Sequence, residues 1–264
     1  MAGGADRVWA AAMPAAYDRW LVPTVFHPFA VDLARRVAVH APDTVLELAA
    51  GTGVLTRELL ALAGAVTATD LNAAMVDLGR RGVPGADWQQ ADAAHLPFVD
   101  ARFDVVACQF GVMFFPDKPA AFAEVRRVLA PEGRLVLNTW AALETHQFET
   151  ALMKALGQVF PGDPPTFIAA VPHGYSDVKV LVSDLRAGGL HGAETTTVTL
   201  EGRAESAADL AVGYCTGTPL RAQIEARADL GATTTAVAEA MTVELGEGPV
   251  IGSMSAVVVE ATLR

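Results

Sequence analysis

The sequence predicts an α/β protein built on a doubly wound, mainly parallel sheet. Short apolar runs of strand length alternate with segments of helical period between residues 44 and 140. The first run leads into a glycine loop, and acids close the first three: Glu47, Asp70 and Asp92. At 264 residues, with 52% apolar and 19% charged residues, the chain suits one large domain with an insertion and would cramp two.

In residues 28–39, Phe29, Leu33 and Val37 fall at helical spacing with proline in the first turn, and Pro42 and Asp43 break the helix. Residues 44–50 are β-branched and apolar almost without interruption, as a strand covered on both faces should be. The loop 50–53 follows, then a helix to about Ala63 that Gly64 ends. AVTATD (65–70) is a second strand, after which Asn72 can cap the helix AAMVDLGRRG. A third strand is expected near 88–90, a fourth at 103–110, a helix at 118–130, and a fifth strand at 133–140 opened by a Pro131-Glu132-Gly133 turn.

Past Trp140 the rhythm loosens. A helical stretch at 147–160 precedes Pro161, Pro164, Pro165 and Pro172, and a helix follows at 176–186; this reads as an insertion near the ligand mouth. TTTVTL (195–200) and SAVVVEATL (255–263) are two more strands, separated by Ala-rich helical sequence. The expected division is an N-terminal helical cap segment (1–43), a cofactor-binding core (44–140), a lid insertion for substrate (141–190), and C-terminal strands and helices (191–264) completing the same domain. The first few residues are expected to be disordered.

Charge excludes some functions. The net charge of -11, with no dense Lys/Arg cluster, repels phosphate polyanions, so neither nucleic acid nor an anionic membrane is an expected partner. Two cysteines, Cys108 and Cys215, are too few for a disulfide framework or a zinc cluster; ordinary buried thiols and no metal are expected. Asp6, Arg7, Asp18 and Arg19 interrupt the N-terminus before any apolar run reaches signal-peptide length, and the expected location is cytoplasmic.

The stretch VLELAAGTGVLTREL has the strand, glycine loop and helix of a nucleotide-type cofactor site. A dinucleotide fingerprint wants G-x-G-x-x-G, and the third glycine is missing from Gly51-Thr52-Gly53-Val54-Leu55-Thr56. Glu47, four residues before Gly51, would repel a pyrophosphate and attract a cation. S-adenosylmethionine carries an ammonium, a sulfonium and an adenosine, but no phosphate. Asp70, about 20 residues beyond the loop, can accept hydrogen bonds from ribose hydroxyls, a spacing shared with NAD enzymes. Asp92 can accept from an adenine amino group, with the Ala93 amide beside it.

VLELAAGTG, TATD, ADAAHLPF, FDVVACQFGVMFFPD and EVRRVLAPEGRLVLNTW, in that order from about Thr44 to Trp140, resemble the class I S-adenosylmethionine-dependent methyltransferases of the small-molecule type (methyltransferase type 11, UbiE-like). The resemblance implies a Rossmann-like seven-stranded sheet whose last strand lies antiparallel between its neighbours. It implies S-adenosyl-L-methionine as cofactor and S-adenosyl-L-homocysteine as product. Glu47, Ala49, Gly51 and Gly53 would surround the methionine portion, Asp70 the ribose, Leu71 and Met75 the adenosine, and Asp92 and Ala93 the adenine edge. Gln109 and Phe110 would face the transferable methyl, and Tyr17 would close over the methionine end, unless it packs with Trp20 and Phe26 instead. Ala49 departs from the family's usual glycine.

Methyl transfer from a sulfonium is an in-line displacement that needs alignment first and a base only for some acceptors. His27, His146, His173 and Tyr175 are the candidate bases, and none has a partner that sequence can name. The chain lacks the Asn-Pro-Pro-Tyr-like run of amino-methyltransferases acting on adenine or glutamine, having Gln109-Phe110-Gly111-Val112 there. A small organic acceptor under a lid containing Phe148, Leu152, Met153, Phe160, Phe167 and Ile168 is the expectation. The alternatives are an NAD-linked oxidoreductase and a non-catalytic cofactor-binding module of the same fold.

Overall fold

A computed structural model describes residues 13–264. The residues before Met13, where Asp6, Arg7 and the expected disorder fall, lie outside the described residues. Two compact units emerge. The sheet unit contains Phe29–Ala141, Tyr175–Val198 and Ala256–Arg264; the helical unit contains the residues up to Pro28, Ala142–Gly174 and Thr199–Ser255. The helix Val178–Ala187, placed by sequence in the insertion, therefore belongs with the sheet.

Seven strands form one sheet: β1 Thr44–Leu48, β2 Ala65–Asp70, β3 Asp87–Gln90, β4 Phe103–Gln109, β5 Leu129–Trp140, β6 His191–Ala204 and β7 Val250–Thr262, in the order β3-β2-β1-β4-β5-β7-β6. β3, β2, β1, β4 and β5 pair in parallel, and β7 runs antiparallel to β5. β1 and β4 are apolar because helices cover both faces of a parallel sheet, and both are buried almost throughout. The strand order reverses between β1 and β4, so their carboxyl ends open the crevice where such sheets take ligands.

Three elements differ from expectation in length. The helix Lys118–Val128 passes straight into β5 at Leu129, and Pro131 to Gly133 form an irregularity inside the strand rather than a turn before it. Pairing jumps from Phe103↔Leu129 to Val105↔Arg134, and a Cβ at Gly133 would lie within 3.0 Å of three backbone oxygens. β6 begins before 195 and ends after 200; as an edge strand with mostly exposed residues, it lacks the alternation that marks a half-buried strand. β7 starts at Val250 rather than 255.

In the helical unit, Tyr17–Phe26 forms a wide π-type helix that accommodates Pro23, whose missing N–H would break an ordinary helix. The helix Ala207–Gly217 packs on it through glycine: a Cβ at Gly217 would come within 2.7 Å of the Tyr17 nitrogen. Phe148, on the helix Gln147–Val159, fills the unit's interior, where Cβ atoms at Gly202 and Gly252 would approach its ring to 2.9 and 2.6 Å. No described helix is long and apolar enough to cross a membrane.

Candidate functional site

The glycine loop leaves β1 by a run of left-handed residues, with φ of +52° at Ala49, +57° at Gly51 and +92° at Gly53. The glycines adopt this conformation without a Cβ penalty, and alanine is the smallest residue that bears one. A carboxylate pins the loop. Asp70 Oδ2 accepts from the Gly51 amide at 2.9 Å, Asp70 Oδ1 accepts from the Asn72 amide at 2.8 Å, and the Ala50 amide donates to the Thr69 carbonyl at 2.9 Å. Asn72 then caps the helix Ala73–Gly82 by accepting from the Ala74 and Met75 amides. Asp70 thus joins the loop after β1 to the turn after β2. A carboxylate offers about four acceptor positions, enough for both amides and a ribose diol.

Glu47 occupies a more interior position than its sequence suggests. It is 1% exposed, and its carboxylate accepts a 2.6 Å hydrogen bond from the Thr56 hydroxyl at the start of the following helix. Burial raises its pKa to about 8; the Thr56 bond opposes that rise and the nearby Asp70 carboxylate adds to it. Around neutral pH the group is mostly protonated unless a cation draws the proton off.

The end of β4 carries strain. Phe110, a bulky residue, has φ +50°, and its ring stacks on Trp140 at 3.5 Å with an interplanar angle of 12°. The edge of Phe29 meets both rings, and the Phe110 amide donates to Asn138 Oδ1 at 3.0 Å. A Cβ on Gly111 would lie 2.5 Å from the Ala49 Cβ and 2.8 Å from Cys108 Sγ, so the loops after β1 and β4 touch there. Gln109, the last residue of β4, is buried beside them. Cys108 is no nucleophile, because burial pushes its thiol up to about 12.

Asp92 is exposed; its Oδ1 accepts from the Ala94 amide at 2.9 Å, and its Oδ2 lies 3.5 Å from His95 Nδ1. Arg127 anchors this loop from the helix behind it. Its guanidinium donates to the Leu96 and Phe98 carbonyls, to Asp100, and through two nitrogens to Glu124, which itself accepts from the Leu96 amide. On the other side, Leu71 is exposed, Met75 is buried, and Gln90 Nε2 donates to the Leu71 carbonyl at 2.8 Å.

The sheet unit therefore brings Glu47, Ala49, Gly51, Gly53, Asp70, Leu71, Met75, Asp92, Ala93, Gln109 and Phe110 to the carboxyl ends of β1 to β4. Sequence reasoning missed four supporting residues: Thr56, Asn138, Arg127, and Thr52, whose buried hydroxyl has no hydrogen-bond partner. Thr52, between the two glycines, was visible to sequence; the others depend on tertiary pairing.

Tyr17, His146 and His173 belong to the helical unit. The Tyr17 ring packs 4.8 Å from Phe26. Burial, with His173 alongside, lowers the His146 pKa to about 3, leaving a neutral and weakly basic imidazole. Tyr175 in the sheet unit has a structural bond, its hydroxyl donating to Asp184 at 2.7 Å, and burial raises its pKa well above the ordinary phenol value. Nothing in its geometry marks it as a base. The expected lid residues Phe148 and Leu152 are fully buried and offer no surface to an acceptor.

Residues 46–137 match the family described as a methyltransferase domain. A ubiquinone/menaquinone biosynthesis C-methyltransferase UbiE of Saccharophagus degradans is 30% identical over 183 residues, covering 63% of this chain and 66% of that protein. A demethylmenaquinone methyltransferase of Clavibacter sepedonicus is 39% identical over 110 residues, covering 40% and 45%. The chain thus spans about half to two thirds of the length of the curated relatives it matches. Among solved structures, the YcgJ protein of Bacillus subtilis shares the fold, with TM-score 0.58, 20% identity, and coverage of 90% of this chain and 99% of that one. Sheet order, glycine loop and matched segment agree, and the chain belongs to the class I S-adenosylmethionine-dependent methyltransferases of the small-molecule type.

Proposed function

We propose that this chain moves a methyl group from S-adenosylmethionine to a small organic acceptor by in-line displacement. The observation that carries this reading is the glycine loop pinned by Asp70 and flanked by Glu47, with Gln109 and strained Phe110 at the neighbouring strand end. Three acids, Glu47, Asp70 and Asp92, and no basic side chain among the proposed cofactor-site residues favour a cationic, phosphate-free cofactor over a dinucleotide.

The residues fit that cofactor. Left-handed Gly51 and Gly53 let the methionine portion approach the backbone, and the unpartnered Thr52 hydroxyl supplies a hydrogen bond there. Asp70 takes the ribose hydroxyls while holding the loop, Leu71 and Met75 flank the adenosine, and Asp92 with the Ala93 amide reads the adenine edge. Gln109 and Phe110 border the methyl. The cofactor supplies an electrophilic methyl on a sulfonium; the chain's part is to align the acceptor and exclude water.

Relatives named as ubiquinone/menaquinone biosynthesis C-methyltransferases make an activated ring carbon the first acceptor class to test. Incubation with methyl-labelled S-adenosylmethionine and a panel of quinol, phenol, amine, thiol and carboxylate acceptors tests the reading. Label transfer that needs the chain supports it; binding of the cofactor with no transfer to any class would favour the non-catalytic alternative.

A further inference from the structure

The helical unit contains a second group of chemistry-bearing side chains. His146 precedes the helix Gln147–Val159, Glu149 lies in its first turn, and His173 follows the short helix Phe167–Ala170. All three are buried, and their potential ligand atoms lie within 4.8 Å of one another. The imidazoles meet edge to face at 4.5 Å.

The carboxylate is the informative member. Glu149 Oε1 accepts from the Tyr214 hydroxyl at 2.6 Å, whereas buried Oε2 has no hydrogen-bond donor and lies 3.8 Å from His146 Nδ1. Among the described residues no lysine or arginine forms an ion pair with Glu149. A buried carboxylate oxygen without a donor is costly unless it takes a proton or a cation, and the two imidazoles gathered beside it suit a metal cation.

We propose that His146, Glu149 and His173 bind one divalent transition-metal ion of the zinc class, a site separate from the methyl-transfer chemistry proposed above. Two imidazole nitrogens and a carboxylate oxygen suit zinc, cobalt, nickel and ferrous ions, whereas calcium and magnesium require more oxygen ligands. Metal–ligand bonds of about 2.0–2.2 Å in tetrahedral geometry place donor atoms about 3.3 Å apart. The His146–Glu149 edge must close by roughly 0.5 Å and the longest edge by at most about 1.5 Å, a change side-chain torsions supply. Tyr214 would hold the carboxylate from outside the coordination sphere, as such partners commonly do. The ion would bridge the first turn of the helix to a residue beyond the proline-rich stretch 161–172, so its binding would stabilise the unit.

Metal-free full-length chain is titrated with Co²⁺, following ligand-field absorption, and Zn²⁺ affinity is measured by competition with a chromogenic chelator. One tetrahedral Co²⁺ per chain, displaced by Zn²⁺, is expected, and Zn²⁺ at about 100 times its Kd should raise Tm by roughly 5–10 °C. Glu149→Gln and His173→Gln should each weaken Zn²⁺ binding by more than the ~10–100-fold loss typical of an outer-shell change, and Tyr214→Phe by about that amount. His191→Ala, at an exposed position in β6, should change nothing. Failure of the unmodified chain to bind one equivalent overturns the proposal whatever the variants do, as does undiminished binding in folded E149Q and H173Q. Neither result bears on S-adenosylhomocysteine binding, which is measured separately.

Discussion

Glu47 makes the proposed cofactor site a proton-linked one. Its pKa near 8 in the ligand-free chain leaves about one molecule in eleven ionised at pH 7 and about one in a hundred at pH 6. A cofactor ammonium beside the carboxylate favours the ionised form, so binding releases the proton, and the cost of ionisation appears in the measured affinity. That cost is about 1.4 kcal/mol at pH 7 and twice as much at pH 6. Affinity for S-adenosylhomocysteine should therefore improve about 25-fold between pH 6 and 7.5, with close to one proton released per site.

Calorimetry in two buffers of different ionisation enthalpy measures both quantities. Glu47→Gln, which keeps the shape and abolishes the titration, should flatten the profile. Stability must change in the opposite direction. The unfolded carboxyl titrates near 4.5 and the folded one near 8, so the native state holds the extra proton in that window; stability from this group is full below about pH 4.5 and falls as pH rises towards 8. Between pH 5 and 8 the difference is about 3.5 kcal/mol, and it should be missing from Glu47→Gln in urea unfolding at those two pH values. A pH-independent affinity between 6 and 7.5 in the unmodified chain, or proton uptake on binding, would refute the reasoning.

Three substitutions test the frame around the loop. Asp70→Ala removes the acceptor of two backbone amides as well as the proposed ribose contact; cofactor affinity should fall by about 1.5–3 kcal/mol and Tm should drop as well, while unchanged affinity would mean that Asp70 holds only the loop. Gly111→Ala forces a Cβ against Ala49 and Cys108 and should separate the loops after β1 and β4, costing about 1–3 kcal/mol in urea unfolding; a neutral result would show that the contact relaxes freely. Arg127→Ala releases the 96–100 loop from the helix Lys118–Val128 and should lower stability by about 2–3 kcal/mol, with faster hydrogen exchange at Leu96 as the local sign.

β1 and β4 were legible because burial on both faces writes a nearly continuous apolar run, and the helix after Asn72 because its cap is local chemistry. β6 was shortened because an exposed edge strand carries little hydrophobic pattern, and the start of β5 was misplaced because Pro131 and Gly133 signal a turn as readily as a strand irregularity. Glu47 was visible as an acid, but its protonation depends on enclosure by elements distant in sequence. The left-handed backbone of Phe110 has no signature in a phenylalanine, and its support comes from Asn138, Trp140 and Phe29. In sequence His146 and His173 read as separate candidate bases and Glu149 carried no signal, because only the fold of the helical unit gathers the three.

The central claim is that the crevice at the ends of β1 and β4 takes a cationic, phosphate-free adenosine cofactor. Titration of the full chain with S-adenosylhomocysteine and, separately, with NAD in the calorimeter at pH 7.5 tests it most directly. One S-adenosylhomocysteine site per chain, weakened by Asp70→Ala, and no heat from NAD are the predicted results; saturable NAD binding with no response to S-adenosylhomocysteine would contradict the claim.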